Sequence, residues 1–188
     1  MKFRAGYIAV ELDGMLEDDQ VKEVFAHFGL AIHVGNVMEQ SALNAQFTSD
    51  LLSKIREFES KEEWECAYDE FYARNSKLTF GQLVGRIKNS GRFSDKLNAT
   101  LTHAKTVRNH LVHHFQFESA ELMITRHGRS SMIEECSRAI QLFDIVDQDL
   151  ERELAELRTS FGVSNDWLYQ KYESTLKQWL EAAENCVE

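Results

Sequence analysis

Hydrophobic positions recur at intervals of three and four residues from Asp19 onward, the spacing of one face of an α-helix. The series comprises Val21, Val24, Phe25, Phe28, Ile32, Gly35 and Met38, and it continues through Leu43, Phe47, Leu51 and Ile55. This pattern predicts one long helix over residues 19–58, or two helices with a bend near Gly29 or Gly35. Residues 1–18 alternate only weakly, which predicts a short strand or an extended arm.

Serine and threonine residues mark the starts of the later helices. Ser60–Glu63 and Ser131–Glu134 have the capping-box form, and Thr79–Gln82 is a weaker version of it. Ser94 and Ser164 have the character of simple N-caps. The predicted helices span residues 61–75, 80–89, 95–117, 132–160 and 165–184. We expect one bundle over residues 19–160, preceded by the arm over 1–18 and followed by a C-terminal helix within 161–188 that packs on the bundle.

The chain of 188 residues contains no proline and only nine glycines, so it has few helix breakers and the fold is predicted to be all-α. Cys66, Cys136 and Cys186 form no CxxC pair, and we expect them to be reduced, small core residues. The least charged stretch, Val24–Met38, has 15 residues. A membrane span needs about 20 apolar residues. A buried helix in a soluble, cytoplasmic protein without a membrane partner is therefore predicted.

Charge is distributed unevenly along the chain. The formal net charge is −10, which argues against a protein that coats nucleic acid. The window Arg86–Arg129 nevertheless carries eight Lys or Arg against three acidic residues, and it holds five of the seven histidines. A basic, histidine-rich segment in an acidic protein favours a local anion site over a general electrostatic coat. A solvated charged face is the alternative interpretation of the same composition.

Arg108 interrupts the apolar face of the predicted helix over residues 95–117. At 100° per residue, it lies in the middle of one stripe with Leu97, Leu101, Ala104, Leu111 and Phe115. An unpaired buried charge is costly, and the helix has no carboxylate three or four residues from Arg108. Three interpretations follow: the stripe faces a partner subunit, Arg108 lies at the floor of a crevice that binds an anion, or a core carboxylate from elsewhere pairs with it.

The neighbouring histidines allow a further interpretation. His103, His110 and His114 form a second stripe, and the last two have the i, i+4 spacing that can chelate zinc. The pair lacks the adjacent glutamate of the HExxH form, so a zinc site is the weaker hypothesis. We expect His110 and His114 to face RNA or solvent instead.

The string Arg108-Asn109-His110-Leu111-Val112-His113 resembles the Arg-Asn-x-x-x-His form of the motif that marks HEPN domains. The resemblance covers residues 25–150, and it implies a HEPN-like helical bundle. It further implies a metal-independent endoribonuclease without a cofactor, often a toxin or defence effector, that works as a homodimer with one composite site. The family's catalytic pair corresponds to Arg108 and His113, and its polar position to Asn109. A separately encoded antitoxin, such as a nucleotidyltransferase-like protein, is the partner that the family suggests.

Elementary chemistry is consistent with this implication. RNA carries its own nucleophile, the 2′-hydroxyl, so its cleavage needs a proton acceptor and a cation beside the phosphate but no metal. Histidine provides the first and arginine the second. Beyond the motif, Arg126 and Arg129 flank Gly128 in a predicted loop, where they suit phosphate contacts. The alternative function is a non-catalytic HEPN-like module that binds a partner or a nucleotide.

Overall fold

The computed structural model describes residues 19–54, 60–75 and 77–162, together with residues 173 and 177. Within these residues the ordered elements are helical, and none is a strand, which confirms the all-α prediction. They are α1 (Asp19–Lys54), α2 (Lys61–Asn75), α3 (Phe80–Ser90), α4 (Asp95–His113), α5 (Phe115–Glu118), the 3-10 turn η1 (Leu122–Ile124) and α6 (Arg126–Ser160). The predicted N-terminal arm and nearly all of the predicted C-terminal helix lie outside the described residues.

The two longest helices, α1 and α6, pack side by side in parallel. The Gln20 side chain reaches the Arg126 carbonyl oxygen, and Gly35 lies against Phe143 fifteen residues further along α1. Buried positions alternate at three and four residues in both helices, as in a coiled coil. Small residues on α1 allow the close approach, because a Cβ at position 35 would lie 3.1 Å from Phe143 Cε2. α1 is one continuous helix, as the first of the two alternatives predicted.

Helix α4 runs antiparallel to this pair and packs on both members. Its apolar stripe is part of the core, where Leu97, Leu101, Ala104, Leu111 and Phe115 are buried by the chain's own helices. Phe115, just after α4, stacks on Phe28 of α1 with ring centroids 5.4 Å apart. The stripe therefore needs no partner subunit to cover it, and the first of the three interpretations of Arg108 is wrong.

Helices α2 and α3 pack against the C-terminal half of α1. Phe71 of α2 lies 4.9 Å, centroid to centroid, from Phe47 of α1. The predicted capping box before α3 is confirmed, because Thr79 Oγ1 accepts from the Gln82 amide and the Gln82 side chain accepts from the Thr79 amide. Ser60 likewise accepts from the Glu63 amide at the start of α2.

The predicted start of the last bundle helix is wrong. α6 begins at Arg126 rather than residue 132, with Thr125 as its N-cap, and Ser131 lies inside the helix, where its hydroxyl donates to the His127 carbonyl oxygen. The predicted helix over 95–117 also ends earlier, at His113, and the short helix α5 follows it. None of the described helices is long and apolar enough to cross a membrane.

The cysteines divide between core and surface. Cys136 is fully buried on α6, as expected, and burial raises the pKa of its thiol to about 11. Cys66 is exposed on α2, so its assignment to the core is wrong. Cys186 lies outside the described residues.

Candidate functional site at the end of helix α4

Arg108 lies between α4 and α1 and is paired with a carboxylate. Its Nη2 donates to Glu39 Oε2 at 2.9 Å, and the two side chains are 23% and 26% exposed. Its Nε is buried and has no acceptor within the described residues. The pairing with a carboxylate from another element, the third interpretation of Arg108, is therefore confirmed, although Glu39 is partly exposed and does not lie in the core. Glu39 holds the guanidinium between the two helices, and the cation keeps partial access to solvent.

Asn109 and His113 lie on the outer surface of the same helix. Both are exposed, and the His113 ring touches the His114 ring edge-on at a centroid distance of 6.3 Å. Five residues along a straight helix correspond to a rotation of about 140° from Arg108 to His113. The helix therefore directs the two side chains to different sides, and no hydrogen bond between them is found in the described structure. Within one chain, the predicted catalytic pair does not converge on one point.

His110 and His114 face carboxylates. His110 Nε2 lies 3.2 Å from Glu135 Oε1 of α6, and its Nδ1 lies 3.7 Å from Glu118 Oε2 of α5. His114 Nδ1 lies 3.8 Å from the other oxygen of Glu118. Carboxylates at these distances repel a phosphate, so the predicted RNA contact is disfavoured at His110. The histidine instead connects the end of α4 to α5 and α6.

A cavity of about 490 Å³ opens beside His110 in the seam between α4 and α6. His103 and Arg138 stand at its rim, and its floor is apolar, formed by Val107, Ala139 and Leu142. Within the described part of the chain, no group of three His, Cys, Asp or Glu side chains is arranged to hold a metal ion. The zinc hypothesis for His103, His110 and His114 thus has no support from the geometry.

Arg126 and Arg129 occupy the first turn of α6 instead of a loop, which corrects the prediction for this segment. Arg126 is exposed, whereas Arg129 is buried and donates from Nε to Gln20 Oε1 and from Nη1 to the Met123 carbonyl oxygen. Gly128 between them is buried against the backbone of η1. Arg129 therefore joins α1, η1 and α6, and it is not placed to contact RNA phosphates.

Sequence reasoning missed the carboxylates of this region. Glu39 is 69 residues from Arg108 along the chain, and Glu135 is 25 residues from His110. Neither pair has a local spacing signal, because the contacts arise from the antiparallel packing of α4 on α1 and α6. The one local signal in the sequence is that Glu39 directly follows Met38, a member of the apolar series of α1.

Comparison with known proteins returns no relative. No protein-family model matches the chain, and neither a curated protein nor a solved structure shows a significant match.

Proposed function

We propose that this protein is a metal-independent endoribonuclease of the HEPN type. The observation that carries the proposal is the Arg108–Asn109–His113 set at the end of α4, with Asn109 and His113 exposed and Arg108 held by Glu39 at 2.9 Å. An exposed imidazole and a partly exposed, oriented guanidinium are the two groups that RNA cleavage by its own 2′-hydroxyl requires.

Each residue has a defined role in this reaction. A neutral His113 takes the proton of the 2′-hydroxyl, whose oxygen attacks the adjacent phosphorus. The bond from phosphorus to the 5′-oxygen breaks, and a protonated imidazole returns a proton to that oxygen. The products are a 2′,3′-cyclic phosphate and a free 5′-hydroxyl. Arg108 donates to the phosphate oxygens as negative charge develops on them, and Asn109 holds the imidazole or the phosphate by a hydrogen bond.

A homodimer supplies the geometry that one chain lacks. Because about 140° separates Arg108 from His113 on the helix, two chains related by a twofold axis bring one arginine and one histidine from each to a shared groove. Exposed apolar side chains beside His113 support such an interface: Val112 is 41% exposed and Phe117 is 87% exposed. The protein is then a toxin or defence effector that requires restraint in its cell, for which a separately encoded antitoxin is the natural partner.

A non-catalytic interaction or nucleotide-binding module is the second candidate, and one observation favours it. The Glu39 carboxylate already neutralises Arg108, so a phosphate has to compete with an internal partner for the guanidinium. In this case the motif stabilises the α1–α4 contact and the exposed histidines take no part in chemistry.

Incubation of the purified protein with total RNA in EDTA separates the two candidates. The endoribonuclease proposal expects cleavage that falls at least 100-fold in His113→Ala, since general acid–base catalysis contributes roughly that much, and comparably in Arg108→Ala. His33→Ala is the control, because it removes an exposed imidazole of α1 that lies outside the motif, and it should retain cleavage. The expected ends carry a 2′,3′-cyclic phosphate, and the protein should sediment as a dimer at micromolar concentration.

Two results would contradict the endoribonuclease. One is full cleavage by His113→Ala, which would assign the activity to another site or to a contaminant. The other is the absence of cleavage by the unmodified protein on any RNA, with binding retained, which would favour the non-catalytic module.

A further inference from the structure

A second cavity, of about 680 Å³, lies at the opposite end of α4 from His113, between the C-terminal half of α1, α2 and α3. We call it the α2–α3 cleft. Among the described residues, four cationic side chains line it, Lys54, Arg74, Arg86 and Arg92, against two carboxylates, Asp50 and Glu70. A local excess of positive charge in a protein with a net charge of −10 marks a place where an anion is favoured.

The guanidinium groups in the α2–α3 cleft differ in their partners. Arg92 is compensated by Asp50 at 2.9 Å and also donates to Ser49. Arg74 is 72% exposed and approaches Glu70 only to 4.0 Å. Arg86 donates to Asn75 Oδ1, a neutral acceptor, and contacts no carboxylate within the described residues. The Arg86 guanidinium is therefore held by a neutral amide, and no carboxylate among the described residues offsets its charge.

Asn75 fixes the position of Arg86. It is 4% exposed, and its Nδ2 donates to the Phe71 carbonyl oxygen at 2.7 Å, one turn earlier in α2. That hydrogen bond leaves Oδ1 as the acceptor directed at Arg86. A guanidinium oriented in advance by a buried amide loses less side-chain freedom when it binds an anion.

The cleft also has an apolar wall. Leu51, Ala67 and Phe71 line the cavity beside the cationic groups. The ring of Phe71 is held in place by Phe47 behind it. A cavity of this size falls within the range of roughly 300–1,000 Å³ that is typical of small-molecule sites. Its lining suits a ligand with one anionic end and one apolar or aromatic body.

The geometry points to a binding site for an organic phosphate with an aromatic body, such as a nucleoside monophosphate. The phosphate is placed between Arg86 and Arg74, and the base lies against Leu51 and Phe71. The same chemistry is offered by a free nucleotide and by the phosphorylated 5′ end of an RNA. This site is separate from the RNA-cleavage motif, and it does not depend on that activity.

Calorimetric titrations of the His113→Ala protein test this site without cleavage of an RNA probe. AMP is expected to bind more tightly than ribose 5-phosphate, which lacks the base, or adenosine, which lacks the phosphate. Arg86→Ala should weaken AMP binding at least tenfold, the loss expected for a hydrogen bond to a charged group. Arg74→Gln should weaken it several-fold. Arg138→Ala, which removes an exposed α6 arginine paired with Glu134, is the control and should bind AMP normally.

The two sources of the phosphate are distinguished by a decamer RNA with and without a 5′-phosphate. Tighter binding of the phosphorylated decamer than of the unphosphorylated one, with the difference lost in Arg86→Ala, assigns the site to an RNA end. Equal binding of the two decamers, with AMP binding that depends on Arg86, assigns it to a free nucleotide. The proposal is overturned if AMP fails to bind at millimolar concentration and the two decamers bind equally, or if Arg74→Gln and Arg86→Ala bind AMP as the parent does. Should Arg86→Ala fail to fold, Arg74→Gln decides the matter, since that side chain is mostly exposed.

Discussion

Two regions of the molecule hold arginine side chains in opposite ways. At the junction of η1 with α6, Arg129 is 8% exposed and donates to Gln20 Oε1 and to the Met123 carbonyl oxygen. In the α2–α3 cleft, Arg86 is exposed and donates to the amide oxygen of Asn75. The first guanidinium is buried among internal acceptors, whereas the second is exposed beside a cavity and contacts no carboxylate in the part of the chain that the structure describes.

The role of each arginine depends more on the partner of its guanidinium than on the local sequence around it. The α6 junction has two arginines beside a glycine, the composition that predicted phosphate contacts, yet its packing encloses Arg129. The α2–α3 cleft has no motif at all, because its cations come from α1, α2, α3 and the segment before α4. The enclosed Arg129 stabilises the packing of η1 on α6, whereas the exposed Arg86 keeps a guanidinium available to an anion.

The largest expected effect on stability is that of Gly128→Ala, which disrupts the packing of η1 on the first turn of α6. A Cβ at this position would lie 2.7 Å from Leu122 Cα and closer still to the Leu122 carbonyl oxygen, both backbone atoms that cannot rotate away. We expect the free energy of unfolding to fall by about 3 kcal/mol. Urea denaturation measures this loss. An unchanged denaturation midpoint would mean that η1 does not pack on α6 in this way.

Gly85→Ala is the matched control, since it makes the same substitution within helix α3. A Cβ there meets no atom within 4 Å. The free energy of unfolding should rise by about 0.5–1 kcal/mol, because alanine is the better helix former.

The next largest effect on stability distinguishes the buried Arg129 from the exposed Arg126 in the same helical turn. Arg129→Ala removes two hydrogen bonds from a charged donor and leaves the Met123 carbonyl and the Gln20 side chain short of a partner, so we expect a loss of about 2 kcal/mol. Arg126→Ala, on the exposed side of the same turn, should change stability by less than about 0.5 kcal/mol. Thermal and urea unfolding of both variants provide the comparison. Equal losses would contradict the burial of Arg129.

Most of the fold was predictable from local signals. The periodic apolar positions of α1 and the capping residues Thr79 and Ser94 identified helices at nearly their observed bounds. The start of α6 was missed because Thr125 caps it without a glutamate three residues later, while Ser131 has the complete capping-box form inside the helix. The tertiary contact of Gly128 with η1, rather than the local motif, selects the earlier start.

The candidate site was predictable only in part. The motif on α4 and the unusual place of Arg108 in an apolar stripe could be identified from spacing along one helix. The partners Glu39 and Glu135 could not, because they approach from other helices and have no fixed sequence distance from α4. The α2–α3 cleft was missed for the same reason, since three helices and the segment before α4 contribute to its lining.

The smallest expected effect concerns Arg108. Its exposure lies between that of the buried Arg129 and that of the exposed Arg86, because it pairs with a carboxylate and the pair is about one-quarter exposed. Arg108→Met keeps the aliphatic stem that lies near Gly35, and Glu39→Gln keeps the shape of the acceptor. A double-mutant cycle with these changes should give a coupling of about 1 kcal/mol that decreases as NaCl is added. The Arg138–Glu134 pair, separated by 3.8 Å and mostly exposed, is the control and should couple by less than about 0.5 kcal/mol. Equal coupling in both pairs would mean that Glu39 does not hold Arg108, and the fixed orientation of the guanidinium would then lose its basis.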